Sequence, residues 1–209
     1  MYMNMGGNVM RRTKDDAEKT RRDILKAALT IFSKYGYTNT NLQDIAEYAG
    51  VTRGAIYWHF ENKAKLYRTL IDEANNRGDY VIEQAMQAGG TFKEICKKII
   101  VAQWLLLEED EVYRDTFNLV MFNTGAAPEL KECRQILLDN SKQLIETVAA
   151  YMKVGIETGQ LRSDKKPLEL AHAYLAYQQG VAVNWLQDPT RFSIKEMATA
   201  LAEIFIDGM

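Results

Sequence analysis

Proline, cysteine and histidine are scarce in this chain, and each scarcity excludes a class of answers. Three prolines in 209 residues, at 128, 167 and 189, leave long stretches free of helix breakers. No run alternates apolar and polar residues for long enough to argue for a sheet. The two cysteines, Cys96 and Cys133, have no metal-ligand spacing and sit in helical patterns where a free buried thiol is the ordinary outcome, which suits a reducing compartment. The two histidines, His59 and His172, lie far apart, and neither cysteine has a base beside it in sequence. Paired carboxylates and a glycine-rich phosphate loop are also missing, so an all-α enzyme is a remote alternative and no catalytic residue is assigned. Glu108, Glu109 and Asp110 are consecutive, so on a helix they point in different directions; they form a solvated helix end, and neither metal nor cofactor is expected.

No stretch approaches 18 uninterrupted apolar residues. The start MYMNMGGNVM lacks a charged segment followed by an apolar run and a cleavage site, so neither export nor membrane insertion is expected and the chain is placed in the cytoplasm. Residues 1–14 are expected to form a flexible arm, in which Arg11, Arg12 and Lys14 are available to phosphate or to the minor groove. Repeats and Ser/Pro linkers are absent, and the length suits a small module of about 60 residues plus a second helical unit with its own core.

What is present begins with a division of charge. Residues 11–70 hold 12 Lys and Arg against 7 Asp and Glu, net +5, whereas residues 71–209 hold 14 against 21, net −7. Only the first third has the electrostatic footprint of a phosphate binder. Within it, Ala46, Gly50 and Ile56 are spaced as a helix-turn-helix requires: a small residue at the crossing, a turn glycine and an apolar plug, with Ile45, Ala49 and Val51 on the same buried face. Thr52 is suited to cap a second helix from about Arg53 to Phe60. Its exposed face would carry Thr52, Arg53, Gly54, Tyr57 and His59, which are DNA-contacting chemistries, with Ile56 and Phe60 inward. His59 is equally readable as a solvated or core histidine, and Trp58 as a packed aromatic bracing the helix.

TRRDILKAALTIFSKYGYTNT, TRGAIYWHF and NKAKL together resemble the DNA-binding domain of the TetR family of bacterial repressors over roughly residues 17–70, most closely the multidrug-efflux branch. The resemblance implies DNA contacts from Thr40 and Gln43 as well as Thr52, Arg53, Gly54, Tyr57 and His59. It also implies that Lys63, at the positive end of a fourth helix, meets phosphate. It divides the chain into a helix-turn-helix domain over 15–62 and a ligand-binding and dimerisation domain over 63–209.

Helical periodicity predicts an all-α fold of about nine helices, with the fourth, from Asn62, shared by both domains as a lever arm. Central helices gather Met86, Trp104, Tyr113, Phe117, Met121 and Phe122, a set that either fills a core or lines a pocket for flat apolar molecules. Asn118 and Gln178 interrupt apolar runs and are candidate polar contacts for a ligand. The last two helices carry Tyr174, Leu175 and Trp185, then Met197, Leu201 and Phe205, stripes that close either the monomer core or, as the resemblance implies, a four-helix dimer interface. The partners expected are palindromic double-stranded operator DNA, a small hydrophobic or aromatic ligand and a second copy of the chain, with no membrane partner. A regulator of metabolism answering a fatty-acyl or signalling molecule is the alternative.

Overall fold

The computed structural model describes residues 14–123, 127–162 and 164–209, and every regular element among them is helical. In order these are α1 (Lys14–Tyr35), α2 (Leu42–Ala49), α3 (Arg53–Phe60), α4 (Lys63–Gln87), α5 (Phe92–Glu109), α6 (Glu111–Asn118), α7 (Lys131–Glu157), α8 (Pro167–Gln187) and α9 (Ile194–Asp207). The all-α class and the nine-helix architecture are as the periodicity predicts. After α6 the chain turns at Leu119–Asn123 into a single π turn, and a short 3-10 turn, Pro128–Leu130, precedes α7. The arm expected over 1–14 lies outside the described residues except for Lys14, which opens α1.

The first core shows why a boundary at residue 62 is not a break in packing. Ile24, Ala28 and Phe32 of α1, Ile45 of α2 and Ile56 of α3 are buried together with Leu66, Tyr67, Leu70 and Ile71 of α4. Leu119 of the π turn and Leu130 before α7 fill the same cluster, each with 0% of its surface exposed. At its centre the rings of Phe32, Tyr37 and Tyr67 meet with centroids 5.3 to 5.6 Å apart. The second core joins Phe92, Cys96, Ile100 and Trp104 of α5 to Tyr174 and Trp185 of α8 and to Ala198, Ala202 and Ile206 of α9.

These burials give the fold an alkaline limit. Burial pushes the Tyr37 phenol up to about 12 and the Cys96 thiol up to about 12, and raises Tyr174 in the same direction. A raised acid favours its neutral form in the folded chain, so the stability it contributes is complete below its ordinary value, about 10 for a phenol, and is lost as pH rises through the folded value. The urea midpoint is therefore expected to fall steadily between pH 10 and 12. Tyr37→Phe should make that fall shallower; an identical slope in the variant would remove Tyr37 from the cause.

α4 runs from one core to the other and is held to both. Arg21 of α1 donates to Glu73 at 2.8 Å, and Arg77 donates to Asp110 at the turn between α5 and α6. Just past the second tie, Gly78 brings the α4 backbone against the Tyr113 ring, where an added Cβ would stand 3.5 Å from the ring carbon.

Candidate DNA-binding face and ligand cavity

The DNA-facing element is built by local rules. Asn41 caps α2, its side chain accepting from the N–H groups of Gln43 and Asp44 while the Asp44 carboxylate accepts from the Asn41 N–H. Gly50 ends α2 at φ 66°, a left-handed conformation that costs glycine nothing. Thr52 caps α3 by accepting from the Ala55 N–H at 3.2 Å, which leaves its own O–H free to donate outward. Ile56 and Phe60 are buried, at 0% and 4% exposure, and fasten α3 to the core.

On the outer side of α3, Arg53 donates to the Tyr57 hydroxyl at 2.8 Å, and its guanidinium carbon lies 5.3 Å from that ring's centre. The two side chains form one exposed unit. Gly54 is exposed beside them, and on α2 the exposed Gln43 donates to Glu47 at 2.9 Å. His59 is half-buried, its ring 4.4 Å from that of Trp58.

Three side chains are placed otherwise than expected. Trp58 does not pack as a brace; it is 74% exposed. Thr40 is 3% exposed and its hydroxyl donates to the Gly36 carbonyl at 2.9 Å, which withdraws its side chain from solvent. Lys63 turns inward: its ammonium donates to the carbonyls of Tyr37 at 3.0 Å and Thr40 at 2.8 Å and sits 4.1 Å from the Tyr37 ring centre. Burial lowers its pKa from the usual lysine value, with Glu129 acting in the opposite direction. Its charge clamps the loop between α1 and α2.

The second half contains a cavity in two adjoining lobes. One, of about 450 Å³, lies among α4, α5, α7 and α8 and is lined by Ile82, Met86, Ile99, Val148, Tyr151 and Met152. The other, of about 340 Å³, is lined by Trp104, Leu107, Tyr113, Phe117, His172 and Ala182. Gln103, Leu144, Leu175 and Gln178 line both, and the Gln178 amide donates to the Gln103 amide oxygen between them. Met86, Trp104 and Gln178 thus fall on the cavity. Asn118, Met121 and Phe122 stand outside its lining; Met121 and Phe122 are 37% and 48% exposed on the π turn, which redirects them. Gln103 is missing from the expected set although it interrupts the apolar run IIVAQWLLL, the same signal that picks out Gln178.

The stripes on the last two helices separate into two groups. Tyr174 and Trp185, expected at a dimer interface, are buried within the single chain at 5% and 4% exposure; their polar atoms donate to the carbonyls of Cys96 and Phe192. Leu175 faces the cavity. Met197 is 42% exposed, and with half-buried Leu201 it borders a shallow groove along Tyr177 and Val181. Phe205 stacks on Tyr177, ring centres 4.3 Å apart.

Residues 24–70, from the buried part of α1 to the first turns of α4, match the sequence pattern described as bacterial regulatory proteins, tetR family. The match continues past that domain: the HTH-type transcriptional regulator TtgR of Pseudomonas putida is 33% identical over 186 residues, 87% of each chain. The chain belongs to the TetR family. Another TetR-family relative, the HTH-type transcriptional regulator AcrR of Shigella flexneri, is 28% identical over 198 residues, 94% of this chain and 92% of that one. The crystal structure of NalD, the secondary repressor of the MexAB-OprM multidrug efflux pump in Pseudomonas aeruginosa, superposes with a TM-score of 0.76 at 29% identity, covering 93% of this chain and 98% of NalD. As a TetR-family protein, the chain uses α2 and α3 as the helix-turn-helix of a DNA-binding transcriptional regulator. No described helix is long and apolar enough to cross a membrane.

Proposed function

We propose that this protein is a ligand-responsive repressor, binding a palindromic operator as a dimer in the cytoplasm, released by a small hydrophobic or aromatic molecule, and controlling an efflux system. The observation that carries the reading is the path through α6. Tyr113 and Phe117 line the cavity, and two residues past Phe117 the π turn that continues directly from α6 places Leu119 in the core of the DNA-binding unit with no surface exposed. A molecule that shifts α6 therefore shifts a plug beneath α1, and through Gly78 and Tyr113 it also bears on α4. Likeness to a repressor of a multidrug efflux pump supports the efflux assignment.

Gln43, Thr52, Arg53, Gly54, Tyr57 and His59 are proposed to meet DNA, joined by Trp58, while Thr40 and Lys63 hold the loop behind them. Consecutive major-groove faces lie about 34 to 36 Å apart, so a two-fold dimer is needed to hold two copies of α3 in register. The outward faces of α8 and α9, with Met197, Leu201 and Ile204, are proposed as its interface; Ile204 is 73% exposed.

The test is a mobility shift on the DNA upstream of the protein's own gene, with random DNA as competitor. A specific complex is expected. Arg53→Ala should weaken it by about 1 to 3 kcal/mol and blur base preference, because an Arg fork reads guanine in the major groove. Equal losses on operator and random DNA would assign Arg53 to phosphate instead.

A further inference from the structure

The cavity carries a more specific statement about its occupant, which rests on the ligand-responsive reading above. We infer that the Gln103–Gln178 amide pair is the specificity element of the pocket, and that it selects an elongated uncharged molecule whose own polar group replaces the hydrogen bond between the two amides while its body spans both lobes.

The pair stands at the junction. Gln103 on α5 and Gln178 on α8 each line both lobes, and the bond between their side chains crosses the neck of the cavity. α8 is fixed at this level because the Trp104 indole N–H donates to the Gln178 main-chain carbonyl at 3.0 Å, so the amide is presented from a held backbone. A primary amide offers two N–H donors and one oxygen, so a ligand carbonyl can accept from either NH2 group, and a ligand hydroxyl can in addition donate to the Gln103 oxygen that the broken bond frees. Volumes of about 450 and about 340 Å³ suit a drug-sized molecule. The first lobe mixes the aliphatic and thioether groups of Ile82, Ile99 and Met86 with the rings of Tyr151 and Tyr174, and the second is aromatic around Trp104 and Phe117, so an elongated apolar body with aromatic character is accommodated along both.

Charge selection follows from the same lining. Among the described residues no Asp, Glu, Lys or Arg borders either lobe. A cation moved into such a site loses its hydration and meets no carboxylate, and an anion meets no ammonium or guanidinium. Uncharged molecules avoid that penalty, and the two amides supply the hydrogen bonding that orients them.

The test measures binding of two dyes to the purified full chain without DNA: Nile red, which is neutral, elongated and aromatic with a carbonyl acceptor, and rhodamine 6G, which is aromatic and cationic. Saturable Nile red binding is expected, with rhodamine 6G at least about tenfold weaker. Gln103→Leu and Gln178→Leu should each weaken Nile red by about tenfold, the effect of one lost hydrogen bond. Gln103→Glu places a carboxylate at the neck and should strengthen rhodamine 6G by about tenfold or more, a gain that misfolding cannot produce. Non-saturable Nile red binding, affinities unchanged in both Leu variants, or equal affinity of the wild type for the two dyes would overturn the inference. Nile red that binds as described but leaves a preformed DNA complex intact would support the pocket assignment and overturn the ligand-released repressor reading.

Discussion

Trp104→Ala is expected to lower the unfolding free energy by about 3 to 5 kcal/mol, the ordinary cost of deleting a buried tryptophan in a packed core. The side chain is 1% exposed, its N–H is bonded to the Gln178 carbonyl, and it shares its cluster with Ile100, Ala182 and Trp185. Urea unfolding should report the loss as a lower midpoint at nearly constant slope, and in heat it corresponds to a drop on the order of 10 °C for a chain of this size. The distinguishing control is Trp104→Phe, which keeps most of the volume and removes the donor; about 1 kcal/mol is expected from that change. If Trp104→Ala costs under 1 kcal/mol, the indole is an adaptable pocket wall and not a structural wedge between α5 and α8.

Lys63→Ala should weaken DNA binding for a reason other than a lost phosphate contact. Its ammonium donates to the carbonyls of Tyr37 and Thr40; its removal takes this donor from the Thr40 oxygen and leaves the Tyr37 oxygen with the Thr40 N–H at 3.3 Å, at an expected cost of about 1 to 3 kcal/mol in stability. Gln43 and the Asn41 cap follow that loop directly, and the reading element loses its seat. Operator and random DNA should both bind more weakly. The dependence of log affinity on log salt should stay unchanged if the ammonium remains on the loop carbonyls when DNA binds. A phosphate contact would instead reduce that slope by about 1. A reduced slope with unaltered stability would return Lys63 to the DNA surface.

The helix-turn-helix is readable from the residues because its constraints are local. The positive φ of Gly50, the Thr52 cap and the inward turn of Ile56 and Phe60 each depend on neighbours within one or two turns. Thr40, Trp58 and Lys63 depend on what packs over them, and the packing includes α1, the start of α4 and residues near 129 that no local pattern joins to residue 40. The same limit separates Tyr174 and Trp185 from Met197. Helical spacing marks each stripe as apolar, but whether α5 or a second chain covers it is decided by the fold. Gln103 and Gln178 show the opposite case, where one amide in an apolar run is informative and two become a pair only when α5 and α8 are adjacent. The break of α6 into a π turn has no signal in LVMFN, and it leaves Met121 and Phe122 outside the cavity lining, Met121 behind Gln179, whose amide donates to its sulfur at 3.6 Å.

Coupling between cavity and DNA is a difference in affinity between two states of the dimer; moving it from nearly all bound to nearly all free takes about 5.5 kcal/mol of ligand preference. The most direct measurement is fluorescence anisotropy of labelled upstream DNA, held by the protein, as a neutral aromatic ligand is titrated in at constant salt. Anisotropy should fall to the value of free DNA with a saturable ligand dependence, and added operator should weaken the ligand's own affinity by the same factor, as linkage demands. Anisotropy that stays at the bound value while the ligand demonstrably fills the cavity would contradict a ligand-released repressor.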